Sequence, residues 1–512
     1  MLVKVYGAAI QGLEAIPVTI EVNASRGIKF FLVGLPDSAV KESHERIISA
    51  IENSGYEFPS KRIVVNMAPA SIRKEGSGYD LPLAIGILAT QGSVRTDRLE
   101  RFMMVGELSL DGSIQPVTGA LLMAIKARAL GYEGLIVPEQ NVCEAAVVNQ
   151  LKVYGASHIR QVIGFLNGED SLTPKILDTR KDFYEKQALH EFDFADVKGQ
   201  EHVKRALEVA AAGGHNLIMI GPPGSGKSMM AKRLPSILPP LSLAESLETT
   251  QIHSVAGKLG KDTTLIAQRP FRAPHHTISQ VALVGGGANP QPGEISLAHN
   301  GVLFCDELPE FSRAALEVLR QPLEDRVINI SRAKYTITYP CSFMFVASMN
   351  PCPCGYYNDP NKTCVCTPGQ IQRYLNKISG PLLDRIDLQI EITPLSFQEL
   401  SQKEKGESSA AIRERVIKAR AIQSERYSPY KGIHCNAQMN SKLLHLYATP
   451  SESCLELLRQ AMNRLQLSAR AYDRILRVAR TIADLEGSAQ IETHHVAEAI
   501  GYRNLDRSNW GE

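Results

Sequence analysis

The chain has 512 residues, which at roughly 150 residues per domain is enough for about three domains. Hydrophobic residues make up 44% and charged residues 21%, so the composition is that of an ordinary globular protein and excludes a disordered or fibrous chain. The net charge of +2 gives no overall basic signal, and contact with a nucleic acid would need a local cationic surface.

The sequence pattern predicts a cytoplasmic protein without a membrane partner. The N-terminal segment does not resemble a signal peptide, and no apolar run has the length of a membrane span. Nine cysteines, several of them in one tight cluster, fit a reducing compartment better than a disulfide framework.

Residues 1–165 are predicted to form a first α/β domain. Strand-like apolar runs, such as residues 63–67 and 134–137, alternate with helix-like stretches, such as residues 38–54. Residues 166–190 begin as a polar, charged and aperiodic stretch, which is typical of a linker.

Several segments of the first domain resemble the protease domain of the Lon family: KEGSGYDLP at 74–82, VGELSLDG at 105–112, QPVTG at 115–119 and VPEQN at 137–141. A Lon-type protease needs a serine nucleophile and a lysine base. Here Gly78 falls at the serine position and Leu121 at the lysine position, while Ser77 is only near the former and Lys126 lies too far along the helix. The resemblance implies the fold, and we expect a scaffold that is not an active protease.

Residues 191–394 are predicted to form an ATPase core around the segment GPPGSGKS at residues 221–228. This segment matches the P-loop pattern G-x-x-x-x-G-K-[ST], follows an apolar strand-like run and precedes a helix start, which disfavours a chance glycine-rich turn. The backbone N–H groups of such a loop, together with the positive end of the helix dipole, can bind the phosphates of ATP. The predicted phosphate-binding residues are Gly221, Pro222, Pro223, Gly224, Ser225, Gly226, Lys227 and Ser228.

The catalytic prediction rests on five residues of this core. Lys227 is expected to reach the β- and γ-phosphates, and Ser228 to place its hydroxyl on Mg²⁺. An apolar run ends in Asp306, a second Mg²⁺ ligand, and Glu307, which would polarise the attacking water. Such an acid pair is often only a solvated surface feature, but the P-loop upstream favours the catalytic interpretation. Asn350 ends a third apolar run and resembles the water-orienting sensor 1 residue of AAA+ ATPases.

Three further segments resemble the ComM/YifB family of magnesium-chelatase-like AAA+ ATPases: FRAPHH at 271–276, GEISLAHNGVLF at 293–304 and GPLLDRID at 380–387. The resemblance covers nearly the whole chain and implies an α/β fold, in which a P-loop core with a helical lid at residues 395–512 follows the Lon-like (S5-like) domain. It implies ATP and Mg²⁺ as cofactors and a homo-hexameric ring. It also implies a DNA helicase that drives branch migration in recombination or natural transformation.

The same resemblance implies roles for two arginines. Arg385 would be an arginine finger that reaches the γ-phosphate of a neighbouring subunit, so that only a ring is active. Arg470 would be the sensor 2 residue of the lid, with Arg474 and Arg477 on the same helix as substitutes. The alternative for each arginine is a solvated helix face.

The segment VINISRAKYTITY at residues 327–339 alternates like a β-hairpin, with Arg332 and Lys334 near its tip. In a ring, six copies of these cations could grip DNA phosphates with little base preference. The alternative is a surface hairpin whose cations only keep it soluble.

Four cysteines lie within fifteen positions after Asn350, in two C-x-C pairs. We call Cys352, Cys354, Cys364 and Cys366 the cysteine cluster. Four thiolates can close a tetrahedral zinc site, and the alternative is four reduced thiols without metal.

Two functions remain open on the sequence: an ATP-driven DNA motor, and a chelatase-type or chaperone-like ATPase that remodels a protein partner. The cationic hairpin and the family favour the first, whereas the nearly neutral charge and the chelatase-like core favour the second. Stimulation of the ATPase by DNA would discriminate between them.

Overall fold

The computed structural model describes residues 1–169, 172–287, 290–331, 336–357, 359, 362–394, 406–465 and 467–503. The described chain divides into two compact units. The first contains Met1–Lys186 and Leu243–Ala267, and the second contains Gln187–Ser242 and the described residues from Gln268 onward.

The assignment of Leu243–Ala267 differs from the sequence-based expectation, which left these residues inside the ATPase core at 191–394. Hydrogen bonds within the first unit hold this segment: Gly119 N–H donates to the Ser254 carbonyl at 3.1 Å, and the Thr264 hydroxyl bonds the Asp182 carboxylate. The segment predicted as a linker, residues 166–190, contains a helix at Thr179–Gln187, and its residues up to Lys186 belong to the first unit.

A seven-stranded mixed sheet forms the centre of the first unit, in the order β3-β4-β2-β1-β5-β8-β9, with β6 and β7 paired apart from it. Its strands are β1 (Leu2–Gln11), β2 (Glu14–Ser25), β3 (Phe30–Val33), β4 (Arg62–Ala68), β5 (Phe102–Met104), β6 (Glu107–Leu108), β7 (Ile114–Gln115), β8 (Gly134–Pro138) and β9 (Lys152–Ala156). Its helices are Ser38–Asn53, Asp80–Thr90, Ala120–Ala129, Val142–Ala145, Ile159–Asn167, Thr179–Gln187 and Leu243–Val255. The helix Asp80–Thr90 is buried on all sides, as its almost wholly apolar sequence requires.

A five-stranded parallel sheet forms the centre of the second unit, in the order β11-β14-β17-β10-β18. The strands of this unit are β10 (Leu217–Ile220), β11 (Phe271–Arg272), β12 (Gly285–Gly286), β13 (Gln291–Pro292), β14 (Val302–Cys305), β15 (Val327–Ser331), β16 (Thr336–Pro340), β17 (Met344–Met349) and β18 (Leu388–Glu391). Every residue of β10, β14 and β17 is buried, because both faces of the sheet are covered. Parallel strands place their carboxyl ends at one edge, where ligands bind in such sheets.

The helices of the second unit are Glu201–Gly213, Lys227–Arg233, Gln280–Val284, Glu294–Leu297, Arg313–Glu317, Arg320–Asp325, Pro368–Leu375, Gly380–Leu383, Ser409–Tyr427, Ser441–Tyr447, Glu452–Leu465, Ala469–Glu486 and Thr493–Gly501. The C-terminal helices share one apolar core with the sheet, in which Val416 and Ile475 join Leu217 and Val346. In the part of the chain that is described, no helix is long and apolar enough to cross a membrane.

Candidate active site

The P-loop lies where the sequence predicted it, between the end of β10 at Ile220 and the helix that begins at Lys227. Gly226 has a φ of +88°, a left-handed backbone conformation that residues with a side chain rarely adopt. This glycine allows the sharp turn into the helix, whose first N–H groups have no partner within the helix and can bind an anion.

Lys227 is held inside this loop. Its Nζ donates hydrogen bonds to the carbonyl oxygens of Gly221 at 2.7 Å and Pro222 at 2.8 Å, and to Asn350 Oδ1 at 3.3 Å. The residue is only 9% exposed. Burial lowers the pKa of Lys227, although Asp306 and Glu307 act in the opposite direction. The ammonium group is thus oriented before any phosphate arrives.

Asp306 accepts hydrogen bonds from two hydroxyl groups, one in the first turn of the helix that begins at Lys227 and one near the carboxyl end of β17. Ser228 Oγ donates to Asp306 Oδ2 at 2.7 Å, and the Ser348 hydroxyl donates to Asp306 Oδ1. A serine hydroxyl and a carboxylate side by side provide the hard oxygen ligands that Mg²⁺ prefers. The residues present therefore fit the Mg²⁺ that accompanies a bound triphosphate.

Glu307 follows Asp306 in the chain, and its carboxylate is accessible. Its φ of +53° is uncommon for a residue with a side chain, and its side chain is 55% exposed. His276 Nδ1 lies 3.5 Å from Glu307 Oε2. Such backbone strain at the end of a strand is characteristic of functional sites.

Sequence reasoning assigned no role to His276 or Ser348. His276 belongs to the FRAPHH segment, and its distance in sequence from Glu307 hid the contact. Ser348 lies on β17, two residues before Asn350, which directly follows the strand. In an extended chain, side chains two residues apart lie on the same face. This two-residue spacing could have indicated from the sequence that Ser348 lies near the site.

Asn350 directly follows β17, which lies between β10 and β14 in the sheet. The strand order therefore puts Asn350 between the P-loop and the acid pair, and its contact with Lys227 follows from this position.

Arg385 is bound within its own chain by residues outside the P-loop. Its Nη1 donates to the Pro381 carbonyl at 2.7 Å and its Nη2 forms an ion pair with Glu324. Across the described residues, no hydrogen bond or ion pair joins Arg385 to residues 221–228 or to Asp306.

The three lid arginines have different environments. The Arg470 side chain is 71% exposed and bonds Asp384 at 2.9 Å. Arg474 forms an ion pair with the buried Asp387. Arg477 is partly buried, and this burial lowers its pKa.

The β15–β16 hairpin forms in the predicted segment, with a register from Val327 opposite Pro340 to Ser331 opposite Thr336. Arg332 and Lys334 lie outside the described residues. The cysteine cluster converges, with all four Sγ atoms within 4.8 Å of one another.

Among the described residues of the first unit, no hydrogen bond joins Ser77 to Lys126, the serine and lysine considered for a protease. The Ser77 hydroxyl donates to the Glu107 carboxylate, and Leu121 is fully buried among apolar residues. The absence of protease activity stays a prediction.

A covered parallel sheet with a P-loop, an acid pair and a polar residue at adjacent strand ends defines a P-loop ATPase of the AAA+ class. Sequence profiles agree: "Magnesium chelatase, subunit ChlI" matches residues 193–400, "Subunit ChlI of Mg-chelatase" matches residues 20–141, and "Magnesium chelatase, subunit ChlI C-terminal" matches residues 406–503. The chain belongs to the magnesium chelatase ChlI-like family of AAA+ ATPases, together with the ComM and YifB proteins.

Several relatives match nearly the whole chain, including a ComM protein and a YifB protein. Competence protein ComM of Haemophilus influenzae is 47% identical over 513 residues, covering 99% of this chain and 98% of the relative. Uncharacterized protein YifB of Salmonella typhimurium is 45% identical over 510 residues, with 99% and 98% covered. Lon protease 2 of Bacillus subtilis is 32% identical over 157 residues, or 28% of this chain and 27% of the relative. These matches confirm the ComM/YifB and Lon resemblances and the predicted fold class. The protein is an ATPase of the chelatase-like AAA+ type, which uses ATP and Mg²⁺.

Proposed function

We propose that this ATPase is a ring-shaped motor that acts on DNA, as a branch-migration helicase in recombination or natural transformation. The observation that carries the proposal is the position of the β15–β16 hairpin in the chain. The hairpin begins after β14, the strand that leads to Asp306. Three residues separate its end at Pro340 from β17, the strand that leads to Asn350. A change at the nucleotide can therefore be passed to the hairpin through both of its ends.

The body of the hairpin is firmly anchored, which a force-bearing element needs. Ile328, Ile330 and Ile337 are buried along one face, and the Tyr339 hydroxyl donates to the Pro290 carbonyl at 2.8 Å. The alternate side chains of the hairpin are exposed, in the period-two pattern of a half-buried pair of strands. We propose that Arg332 and Lys334, which lie between these two strands in the sequence, contact DNA phosphates.

Hydrolysis is proposed to use the residues that the nucleotide site brings together. Lys227 binds the β- and γ-phosphates, while Ser228 and Asp306 hold Mg²⁺, which neutralises phosphate charge when it is bound. Glu307 polarises the attacking water, and Asn350 orients it. His276 is proposed to position the Glu307 carboxylate.

A hexameric ring would complete the site. The contacts of Arg385 with Glu324 and Pro381 leave it no function at the P-loop of its own chain, which supports a role at the site of a neighbouring subunit. Arg470, exposed and bonded to Asp384 next to Arg385, is proposed as the sensor 2 residue.

The test is ATP hydrolysis titrated with single-stranded, duplex and four-way-junction DNA. The motor proposal predicts that DNA stimulates hydrolysis and that the protein moves a junction only with ATP. The alternative, an ATPase that remodels a protein partner, is favoured by the chelatase profiles that cover most of the chain. If none of the three DNA forms changes the rate of ATP hydrolysis, the DNA motor is excluded and the alternative is favoured.

A further inference from the structure

We propose that the cysteine cluster binds one structural zinc ion, and that this ion fixes the loop that supports the nucleotide site. The site consists of four sulfur atoms from two C-x-C pairs that follow β17 in the chain. They belong to Cys352, Cys354, Cys364 and Cys366.

The spacing of the sulfurs fits a shared metal ion. Cys352 and Cys354 have their Sγ atoms 3.3 Å apart, and Cys364 Sγ lies 3.7 Å from the first and 3.5 Å from the second. A tetrahedral zinc site with Zn–S bonds of about 2.3 Å separates its sulfurs by about 3.8 Å. A disulfide would bring two of them to about 2.0 Å, and all four cysteines are free of disulfides.

Apolar packing does not account for this convergence. The described residues between Met349 and Pro368 contain no helix or strand, and Val365, between two of the cysteines, is 81% exposed. Ordering such a loop costs conformational entropy, which it cannot recover by burying apolar surface. A metal ion bound by four thiolates supplies the missing free energy, as in small domains that fold only with zinc.

A backbone turn holds the first pair of cysteines. Gly355 N–H donates to the Cys352 carbonyl at 3.0 Å, so Cys354 lies inside a turn that begins at Cys352. Hydrogen bonds in the shell around a metal site orient its ligands.

The same turn connects the cluster to the P-loop. A side chain at Gly355 would place its Cβ 2.6 Å from Pro223 Cδ, so the two loops are in close contact. Cys352 lies two residues after Asn350, whose side chain contacts Lys227 at 3.3 Å. A metal that fixes Cys352 and Gly355 therefore fixes Asn350 and the outer side of the P-loop. The cysteines are positioning residues for ATP hydrolysis.

The first test measures metal in the full-length protein by plasma mass spectrometry. We expect about one zinc per chain in the wild type and in Cys143→Ser, a control outside the cluster, and almost none in Cys364→Ser/Cys366→Ser. Wild-type protein reconstituted with Co²⁺ should show the visible absorption of a tetrahedral thiolate complex, which tests the site even if the double variant does not fold. Near-zero zinc in the wild type, without a cobalt spectrum, would overturn the proposal.

The second test separates positioning from general stability. ATP affinity and kcat are measured for the zinc-free and zinc-loaded wild type without DNA. We expect ATP affinity to change by no more than about twofold and kcat to fall about tenfold, because Asn350 acts on the attacking water rather than on binding. An unchanged kcat after zinc removal would refute the positioning role. Neither test involves DNA, so the zinc site and the DNA motor can each fail while the other stands.

Discussion

Lys227 Nζ and Asn350 Oδ1 lie 3.3 Å apart, although 123 positions separate the two residues in the chain. The contact exists because β10 and β17 are parallel neighbours whose carboxyl ends meet. We propose that this contact joins the residue that binds the phosphates to the residue that orients the water, so that a change at the γ-phosphate acts on the end of β17.

Glu307→Gln should bind ATP with nearly normal affinity and hydrolyse it at least about a hundredfold more slowly, because the water loses its polarising group. Lys227→Ala should instead weaken ATP binding, since Lys227 is the buried cation of the P-loop. A fluorescent ATP analogue measures binding, and phosphate release measures turnover. Wild-type turnover by the Glu307→Gln enzyme would remove this residue from the mechanism.

His276→Ala should lower kcat about fivefold with little change in KM, because Glu307 loses the imidazole 3.5 Å from its carboxylate. The matched control is His275→Ala, since His275 bonds Thr277 rather than Glu307. Steady-state kinetics of both variants make the comparison. Equal losses in the two would point to a disturbed loop and not to a role at Glu307.

Arg385→Ala subunits should bind ATP normally but hydrolyse it very slowly, because the variant leaves the P-loop of its own chain intact. Mixing them with Lys227→Ala subunits should restore part of the activity, since some interfaces then pair an intact P-loop with an intact arginine. Arg373→Ala, a change on an exposed helix position, should behave as the wild type. If both parents assemble and no activity returns on mixing, Arg385 does not act across subunits.

Arg332→Ala/Lys334→Ala should keep basal ATPase activity and lose stimulation by DNA. Fewer released counterions should also make DNA binding less dependent on salt. Fluorescence anisotropy between about 50 and 200 mM salt measures this slope. Junction migration equal to that of the wild type would show that the hairpin tip does not grip DNA.

Asp387→Asn should destabilise the second unit by about 3 kcal/mol, because Arg474, whose side chain is only 17% exposed, would lose its counter-charge. Burial alone would raise the pKa of Asp387, but Arg474, His215 and Arg477 outweigh it and hold the pKa below its usual value. The control is Asp384→Asn, where the more exposed pair with Arg470 should contribute about 1 kcal/mol or less. Urea unfolding measures both variants.

The same ion pair predicts a dependence on pH. Because the pKa of Asp387 is lowered in the folded state, its contribution to stability is complete above the unfolded value of about 3.9. The contribution is lost as pH falls from there towards the folded pKa. Asp387→Asn should lack this part of the acid sensitivity, and a parallel loss of stability in both proteins would contradict the assignment.

Local patterns predicted much of this molecule, but not the contacts that depend on strand order. The helix expected at residues 38–54 is present as Ser38–Asn53, with Asp37 accepting the Val40 N–H at 2.8 Å as its N-cap. The hairpin and the P-loop also lie in the predicted segments, since each has a period or motif of its own.

The pair of His276 and Glu307 could not be predicted in this way. It forms because β11 and β14 are neighbours, so the residues that follow them meet at one edge of the sheet. The local periodicity of either segment does not indicate which strands pair. The same limitation hid the membership of Leu243–Ala267 in the first unit.

That segment has a consequence for how the protein is made. Translation proceeds from the N-terminus, and domains commonly fold as their sequence emerges from the ribosome. The first unit cannot be completed when residue 186 emerges, because Leu243–Ala267 is still missing from it. The P-loop strand and helix, which belong to the second unit, are synthesised in the interval. A gene cut after residue 186 would therefore encode an incomplete first unit, whose missing segment would be synthesised with the second unit.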